Sequence, residues 1–517
     1  MNMLNKRSLS ILVSLFIFGF FSLGYGEETV SLTLEECITT ALENNLRVSI
    51  ERYNPELADV SIIRAKELFM PRFDLSYGRQ RTESPSYWWL QGSDTQISKY
   101  SDYSVSFIQQ IPTGGNLSLS LANYSSDTNA AFQLINPRYG STIRFDFTQP
   151  LLKNFGRKVS RKEIIIAQNN LEISQHQFRT VLLDTIYRVQ EAYWNLVYAI
   201  ENHNVKKQSL QLGRDLLAKN QKEVEVGKLA PIEILNAETV VAQREADILQ
   251  AEALIRRGED LLRNILNRDT VLQSSGQKII PLDDPAFIAR GVSLQKVLDI
   301  ALISRPDLKA TEKNIETKEL NLTIAKNQLL PGLDLNLSYW SPGISGDRLL
   351  YLDDNPFSGI IVGREKGSAG DSISDAFKLL YNNWSVGVTL SFPLSSIFTR
   401  ADFTRARIEL DKSRVEMENT RRQALLEVRD AVRDIETNSK RVEAYKLARK
   451  LAERRLQAEE KKLRVGLTTN YFVLQFQEEL ANARSLEIKA IVDYNLAWAK
   501  LEKATGMSLK NRNILVK

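Results

Sequence analysis

Apolar and polar residues alternate in six short stretches of this 517-residue chain. Phe73, Leu75 and Tyr77 mark the first, and Tyr103, Val105 and Phe107 the second. Leu117, Leu119 and Leu121 follow, then Ile143, Phe145 and Phe147. Far downstream come Leu333, Leu335, Leu337 and Tyr339, then Val386, Val388, Leu390 and Phe392. A period of two predicts strands with one apolar and one polar face. Stretches rich in Ser, Asn, Asp and Gly, near 83–100, 126–140 and 341–382, predict loops between them. Elsewhere the period lengthens. Val189, Tyr193, Leu196 and Ile200 recur at spacings of four, three and four, a helical seam.

The helical stretches are long. No proline interrupts Arg157 to Glu225, so this arm reaches roughly 100 Å at about 1.5 Å per residue. Val226-Gly227-Lys228-Leu229-Ala230-Pro231 then breaks the pattern, and a helix returns over about 232–267. A second pair spans about 398–463 and 470–505, broken at Val465-Gly466-Leu467-Thr468-Thr469-Asn470. A shorter helical region over 33–70 is expected to break near Asn44-Asn45 and at Pro55, and to end at Pro71.

These pieces repeat. Residues 31–77 and 291–337 align without a gap: Ala65, Lys66, Pro71, Asp74 and Leu75 fall on Ala325, Lys326, Pro331, Asp334 and Leu335. Gly227 aligns with Gly466, Leu235 with Leu474 and Leu262 with Leu501. The chain thus reads as two copies, 27–290 and 291–517, of helix, strands and a long helical hairpin, joined by a turn-rich stretch near 270–290. Strands lie at about 71–150 and 331–393, hairpins at about 157–267 and 398–505. The outgoing arms are nearly equal, 77 residues from Pro150 to Gly227 and 73 from Pro393 to Gly466. Copy one carries 17 extra residues in its strand region, which an added β-hairpin turning at Ile111-Pro112-Thr113-Gly114-Gly115 explains. The chain then offers six barrel strands, or four if that hairpin only lengthens an excursion. Either is below the roughly eight strands of the smallest closed barrels. An open sheet edge cannot sit in lipid, so such strands require several chains to pool them. A soluble sandwich also fits the alternation alone.

Composition adds targeting and removes chemistry. Lys6 and Arg7 precede the apolar run Ile11–Leu23, and Gly24 and Gly26 suit a cleavage site, so residues 1–26 read as a secretory signal, an uncleaved anchor being the alternative. The net charge of +5 falls to +3 without them and implies no nucleic-acid partner. The single cysteine, Cys37, reads as a small apolar residue on a helix face. The two histidines, His176 and His203, lie apart, and no metal cluster or cofactor motif is present. The basic segment Phe155–Lys162 lacks the second glycine and the ending of a phosphate-binding loop, and Asp354 and Asp371 stand without a base or nucleophile. No catalytic constellation is expected, so the chain does not read as an enzyme.

The repeat, the junction Ala65-Lys66 to Leu75 and the strand end Gly387-Val388-Thr389-Leu390-Ser391-Phe392-Pro393-Leu394 resemble the TolC-like outer-membrane efflux proteins. So do Gln149-Pro150-Leu151-Leu152, the Val-Gly tips and the ending Asp493-Tyr494-Asn495-Leu496-Ala497 with Leu501 to Gly506. The resemblance implies a mixed α and membrane β-barrel fold. Three copies would form one outer-membrane barrel continued by a periplasmic α-helical barrel, with outer-membrane lipid, a periplasmic adaptor protein and an inner-membrane pump as partners. It implies a passive conduit exporting small molecules, with type I protein secretion as the alternative and a soluble periplasmic scaffold as a distant one. It places adaptor docking at Val226, Gly227, Lys228 and Leu229 and at Val465, Gly466, Leu467 and Thr468. The family's acidic entrance positions fall on Phe472 and Gln475. The charged gate is therefore not carried over; Phe472 forms either an apolar ring or a packing contact, and Glu233 at the matching place in copy one supplies charge.

Overall fold

The computed structural model describes residues 29–88, 91–267 and 278–514. The expected signal segment and the Gln273–Gly276 part of the joint lie outside the described residues. Strand β1 (Thr29–Leu32) precedes helices α1 (Leu34–Asn44) and α2 (Leu46–Glu67). Four strands follow, β2 (Arg72–Pro85), β3 (Thr95–Gln110), β4 (Asn116–Thr128) and β5 (Ile135–Pro150). A short α3 (Arg157–Ser160) leads to the hairpin α4 (Lys162–Glu225) and α5 (Ile232–Leu266). The second half runs β6 (Lys278–Pro281), α6 (Leu294–Ser304), α7 (Pro306–Gln328), β7 (Gly332–Tyr351), β8 (Ile361–Glu365), α8 (Ala369–Phe377) and β9 (Asn383–Ser391). It closes with α9 (Ile397–Arg464), α10 (Asn470–Thr505) and α11 (Ser508–Asn511).

The principal helices of the two halves match. Helices α1 and α6 both have 11 residues, α5 and α10 have 35 and 36, and α4 and α9 have 64 and 68. The break after the first helix has one geometry in both, φ −64 and ψ 125 at Asn45 against −64 and 124 at Arg305. Both side chains do the same work with different chemistry. Asn45 Nδ2 donates to the Ile265 carbonyl (2.8 Å), and Arg305 Nη1 to the Ala504 carbonyl (3.0 Å). Each satisfies a carbonyl that the last turn of its returning helix leaves open. Pro306 opens α7 at its first turn, where a missing N–H costs nothing. Pro55 does not break α2, contrary to expectation, and lies inside the continuous helix. The missing N–H and the ring clash, about 3 kcal/mol, are outweighed by the remaining turns of a 22-residue helix.

Residues gather in two compact units, each drawn from both repeats. The first comprises residues up to Asn45 with Arg188–Phe287 and Arg441–Asn495. Here β1 pairs in parallel with β6. The buried Tyr193 hydroxyl donates to Asp283 (2.7 Å) and accepts from the Asp283 N–H (3.1 Å). Asp283 also accepts from the first helical N–H of α1, at Leu34 (2.7 Å), so the joint and a helix start are fixed together. Cys37 is fully buried beside this network, and burial pushes its thiol up to about 12.

The second unit holds Leu46–Tyr187, Ile288–Lys440 and the residues from Leu496 onward. Its centre is one antiparallel sheet in the order β2-β3-β4-β5-β7. The far edge of β7 is shared, with β9 along its first half and the short β8 along its last residues. The sheet is therefore six long strands wide. The β3–β4 turn closes at Gly114, whose φ of +99 favours glycine, with the Gly114 N–H donating to the Ile111 carbonyl (3.0 Å).

The loops expected over 83–100, 126–140 and 341–382 are shorter than that reading. Pairing runs on to Pro85 and Thr95 in the first and to Ser126 and Arg138 in the second. The third contains the end of β7, β8 and α8. Backbone hydrogen bonds hold these extensions after the side chains stop alternating, so a pattern-based reading ends them early. Helix α8 lies on β5 and β7 through small residues. Its Ser372 meets Ser141 at 2.7 Å between hydroxyl oxygens, and Gly343 leaves no room for a Cβ beneath it.

Candidate channel face and hairpin tips

Register aligns the strand pattern across the sheet. Phe73 pairs with Phe107, Phe107 with Leu119, Leu119 with Phe145, Phe145 with Tyr339 and Tyr339 with Trp384. Neighbouring rows add Leu75, Val105, Leu121 and Ile143 on one side and Leu117, Phe147, Leu337 and Val386 on the other. One face is thus a continuous apolar band. Helix α8 covers its outer end over β5 and β7, where Ser372 meets Ser141; away from it the band stays open within the chain, with Leu75 78 %, Phe145 40 % and Val388 62 % exposed.

The opposite face is mainly polar in the same rows, Ile108 aside. Ser118, Asp146, Ser338 and Ser385 form one row, and Asp74, Ser106, Ser120 and Arg144 the next. Hydroxyls, amides and charges bond across it: Ser76 to Ser104 (2.8 Å), Ser338 to Asp146 (2.6 Å), Asn336 to Thr389 (3.1 Å), and Arg144 to Asp146 (2.9 Å). Trp340 is the large exception, and the Arg144 guanidinium lies over its ring. A sheet apolar on one side and wet on the other suits a wall between lipid and water. Turn lengths agree with that orientation. The β3–β4 connection, on the side where the helices leave, has five residues (111–115), whereas those on the far side run over 86–94, 129–134 and 352–382, the middle one only one residue longer than the β3–β4 turn.

The helical hairpins end in two turns of one construction. At the first, the Lys228 N–H donates to the Glu223 carbonyl (2.8 Å) and the Gly227 N–H to Val224 (2.9 Å). At the second, Leu467 donates to Lys462 (3.0 Å) and Gly466 to Leu463 (3.1 Å). This is the Schellman cap, which needs a left-handed residue; Gly227 and Gly466 have φ of +72 and +77. A Cβ at either would touch nothing within 4 Å, so steric room does not select glycine; the backbone angle does.

The residues expected at the tips are mostly exposed. Val226, Gly227 and Lys228, and Val465, Gly466 and Leu467, face solvent; Leu229 and Thr468 are half-buried. Leu467 is 77 % and its neighbour Val465 69 % exposed. Thr468 donates to Glu459 (2.6 Å), and that bond, then Lys462, holds the Glu459 carboxyl below its ordinary value against desolvation. Gln475 is exposed and reaches Glu479 (3.3 Å). Phe472, 44 % exposed, lies edge-on to Tyr471 and stacks on the buried Phe476 (centroids 6.4 Å). Glu233 is half-buried, and its Oε2 finds no hydrogen-bond partner among the described residues.

Behind the tips, Leu216, Ala237, Leu456, Val473, Leu474, Phe476 and Leu480 make one core from all four helices. Arg244 enters it, 6 % exposed. Its guanidinium donates to the Ser209 carbonyl (2.6 Å), Gln477 (3.1 Å) and the Leu474 carbonyl (3.2 Å). Gly213 makes the space, since a Cβ there would lie 2.9 Å from Arg244 Nη1. Burial holds Arg244 below its ordinary value, Glu478 and Asp247 opposing. Sequence reasoning missed this residue. The available signal was a charged residue in the apolar register of α5, alongside Ala237, Val241 and Ala251, and a glycine inside the long α4.

Comparison with known proteins places these features. Residues 116–268 and 297–507, well over half the chain, match the family model described as outer membrane efflux protein. The alkaline protease secretion protein AprF of Pseudomonas aeruginosa is 22 % identical over 340 residues, 65 % of this chain and 64 % of that protein. Outer membrane protein TolC of Vibrio cholerae is 24 % identical over 349 residues, 66 % of this chain and 72 % of that protein. Among solved structures, the Campylobacter jejuni CmeC outer membrane channel superimposes with a TM-score of 0.63 at 16 % identity, covering 98 % of this chain and 97 % of its own. The open state of the Neisseria gonorrhoeae MtrE outer membrane channel gives 0.61 at 18 %, covering 93 % and 91 %. The fold of those channels, the duplicated helix-strand-hairpin plan and the long match to the family model agree: the chain belongs to the outer membrane efflux protein family.

Proposed function

We propose that three copies of this chain pool their sheets into one barrel in the outer membrane and export small molecules as a passive conduit. The observation that carries the reading is a six-strand sheet with an apolar band left open over most of one face and both edges, β2 and β9, open. Each unpaired edge group in hydrocarbon costs several kcal/mol, roughly, and only closure against another copy removes the edges. The apolar band contacts lipid and the hydroxyl-lined face surrounds water. The chain supplies a path and no chemical step. An inner-membrane pump provides the energy, and a periplasmic adaptor seats on the tips at Val226–Leu229 and Val465–Thr468.

The exposed Leu467 beside a rigid cap supports docking, since an apolar residue held outward in a fixed turn suits a partner's groove. Leu467→Asp is expected to abolish drug resistance in cells while the heat-modifiable trimer remains; normal resistance would refute docking at this tip. Phe472 narrows the entrance with its exposed edge in this reading. Phe472→Asp is expected to change single-channel conductance or raise cation selectivity in planar bilayers, and an unchanged trace would remove Phe472 from the entrance.

Type I protein secretion is the second reading, favoured by the match to a protease secretion protein. Deleting the gene and assaying both drug susceptibility and the secreted proteins separates the two. Full recovery of the protein in the soluble periplasmic fraction would overturn both.

A further inference from the structure

We infer that the β3–β4 hairpin widens the membrane end of the conduit, so that this end does not select cargo by size. The inference rests on the three-copy ring proposed above. The two repeats enter and leave the sheet at matching points, Pro71 and Pro331, then Pro150 and Pro393. Between those points repeat two lays down two long strands, β7 and β9, and repeat one lays down four. Strand β2 runs out from the helix side and β5 returns to it, so β3 and β4 are a complete return-and-out excursion between them.

The hairpin belongs to the wall. Strand β3 pairs with β2 from Arg72–Ile108 to Pro85–Thr95, and β4 with β5 from Asn116–Thr148 to Ser126–Arg138. Its apolar residues, Tyr103, Val105, Phe107, Leu117, Leu119 and Leu121, share the apolar face, as the register requires. Its turn is packed down as well: a Cβ at Gly114 would lie 2.4 Å from the Asn154 carbonyl. The family match begins at Asn116, the first residue of β4, which leaves β2 and β3 outside it.

The consequence is geometric. Barrel diameter grows about linearly with strand number, so six strands per copy instead of four widen the ring roughly 1.5-fold and its cross-section roughly twofold. Three copies give about 18 strands, in the range that leaves an aqueous lumen. The hairpin lines that lumen with small hydroxyls, Ser104, Ser106, Ser118 and Ser120, which keep the added width open.

The test compares the full chain with a variant in which residues 86–134 are replaced by a short Asn-Gly turn joining β2 to β5. Both are purified in detergent, their mass measured and their channels recorded in planar bilayers with polyethylene glycols of graded size on the outer side. The variant is expected to remain trimeric and to exclude polymers about one third smaller in radius, with entry from the helical side unchanged. A trimeric variant with the same outer cut-off overturns the widening and leaves the conduit standing. A monomeric full-length particle overturns the pooled ring itself. If the deletion fails to fold, the full chain with Cys37→Ser decides. Ser104→Cys and Ser120→Cys are expected to react with a membrane-impermeant thiol reagent and Val105→Cys and Leu121→Cys to resist it. Silent serine positions would take the hairpin out of the wall.

Discussion

Leu337→Arg is expected to remove most of the protein from the outer membrane, whereas Asn336→Arg, one residue away, leaves its amount near normal. Leu337 sits between Phe147 and Val386 in the middle of the apolar band. An arginine on the lipid side of a barrel near mid-depth costs about 2–4 kcal/mol, and in the proposed ring the cost recurs in every copy. Asn336 lies on the polar face, between Thr148 and Thr389, and its loss removes two exchangeable hydrogen bonds in water-filled space. Net hydrogen bonds of that kind are worth about 1 kcal/mol or less when water can replace them. The heat-modifiable band in outer-membrane fractions measures both. Equal losses would mean that the two faces do not meet different solvents.

The second large effect is expected at Arg244, where two terms oppose each other. Burying a cation with no carboxylate at salt-bridge distance among the described residues is costly, which alone would make its removal favourable. Three charge-assisted hydrogen bonds, each roughly 1.5–3 kcal/mol, work the other way. The geometry decides in favour of the bonds. Gly213 is kept open for the guanidinium, and the buried Gln477 loses the bond that Arg244 donates to it. Arg244→Ala is expected to destabilise the tip core by about 2–4 kcal/mol, from the cavity and the orphaned amide together. Arg244→Met fills the space and should recover part of this. Thermal melts of the solubilised protein and proteolysis at the tips read the difference. Melting points of both variants equal to that of the parent would show that Arg244 does not tie α4, α5 and α10 together.

Much of the fold is legible in the chain because its elements are long and regular. Alternation at Leu333–Tyr339 and Val386–Leu390 locates strands, since lipid-facing and water-facing sides demand different residues. It stops where both faces meet water. For that reason the outer parts of β2 and β3, Glu83–Pro85 and Thr95–Tyr100, read as loop although their backbones pair. The equal arms and the two Val-Gly breaks are visible because the Schellman cap demands glycine at one position. Helix α8 is not visible, because its contact surface is built from Ser372 and Ala376, small residues that mimic a loop in composition. Arg244 escapes for another reason: its partners lie on two other helices, and no local pattern encodes them. The equivalence of Asn45 and Arg305 is hidden likewise, since an amide and a guanidinium satisfy the same carbonyl.

The sheet also carries an arithmetic of parity. An even number of strands leaves β2 and β9 running in opposite directions, so in the proposed ring the edge of one copy would meet the next as an antiparallel neighbour whatever the size of the ring. Two, three or four copies would all close with the same hydrogen-bond pattern. In the proposed ring, strand pairing therefore does not encode copy number, which leaves that role to the long helices. A substitution on the outer surface of a hairpin could then change the symmetry of the assembly without disturbing a single strand.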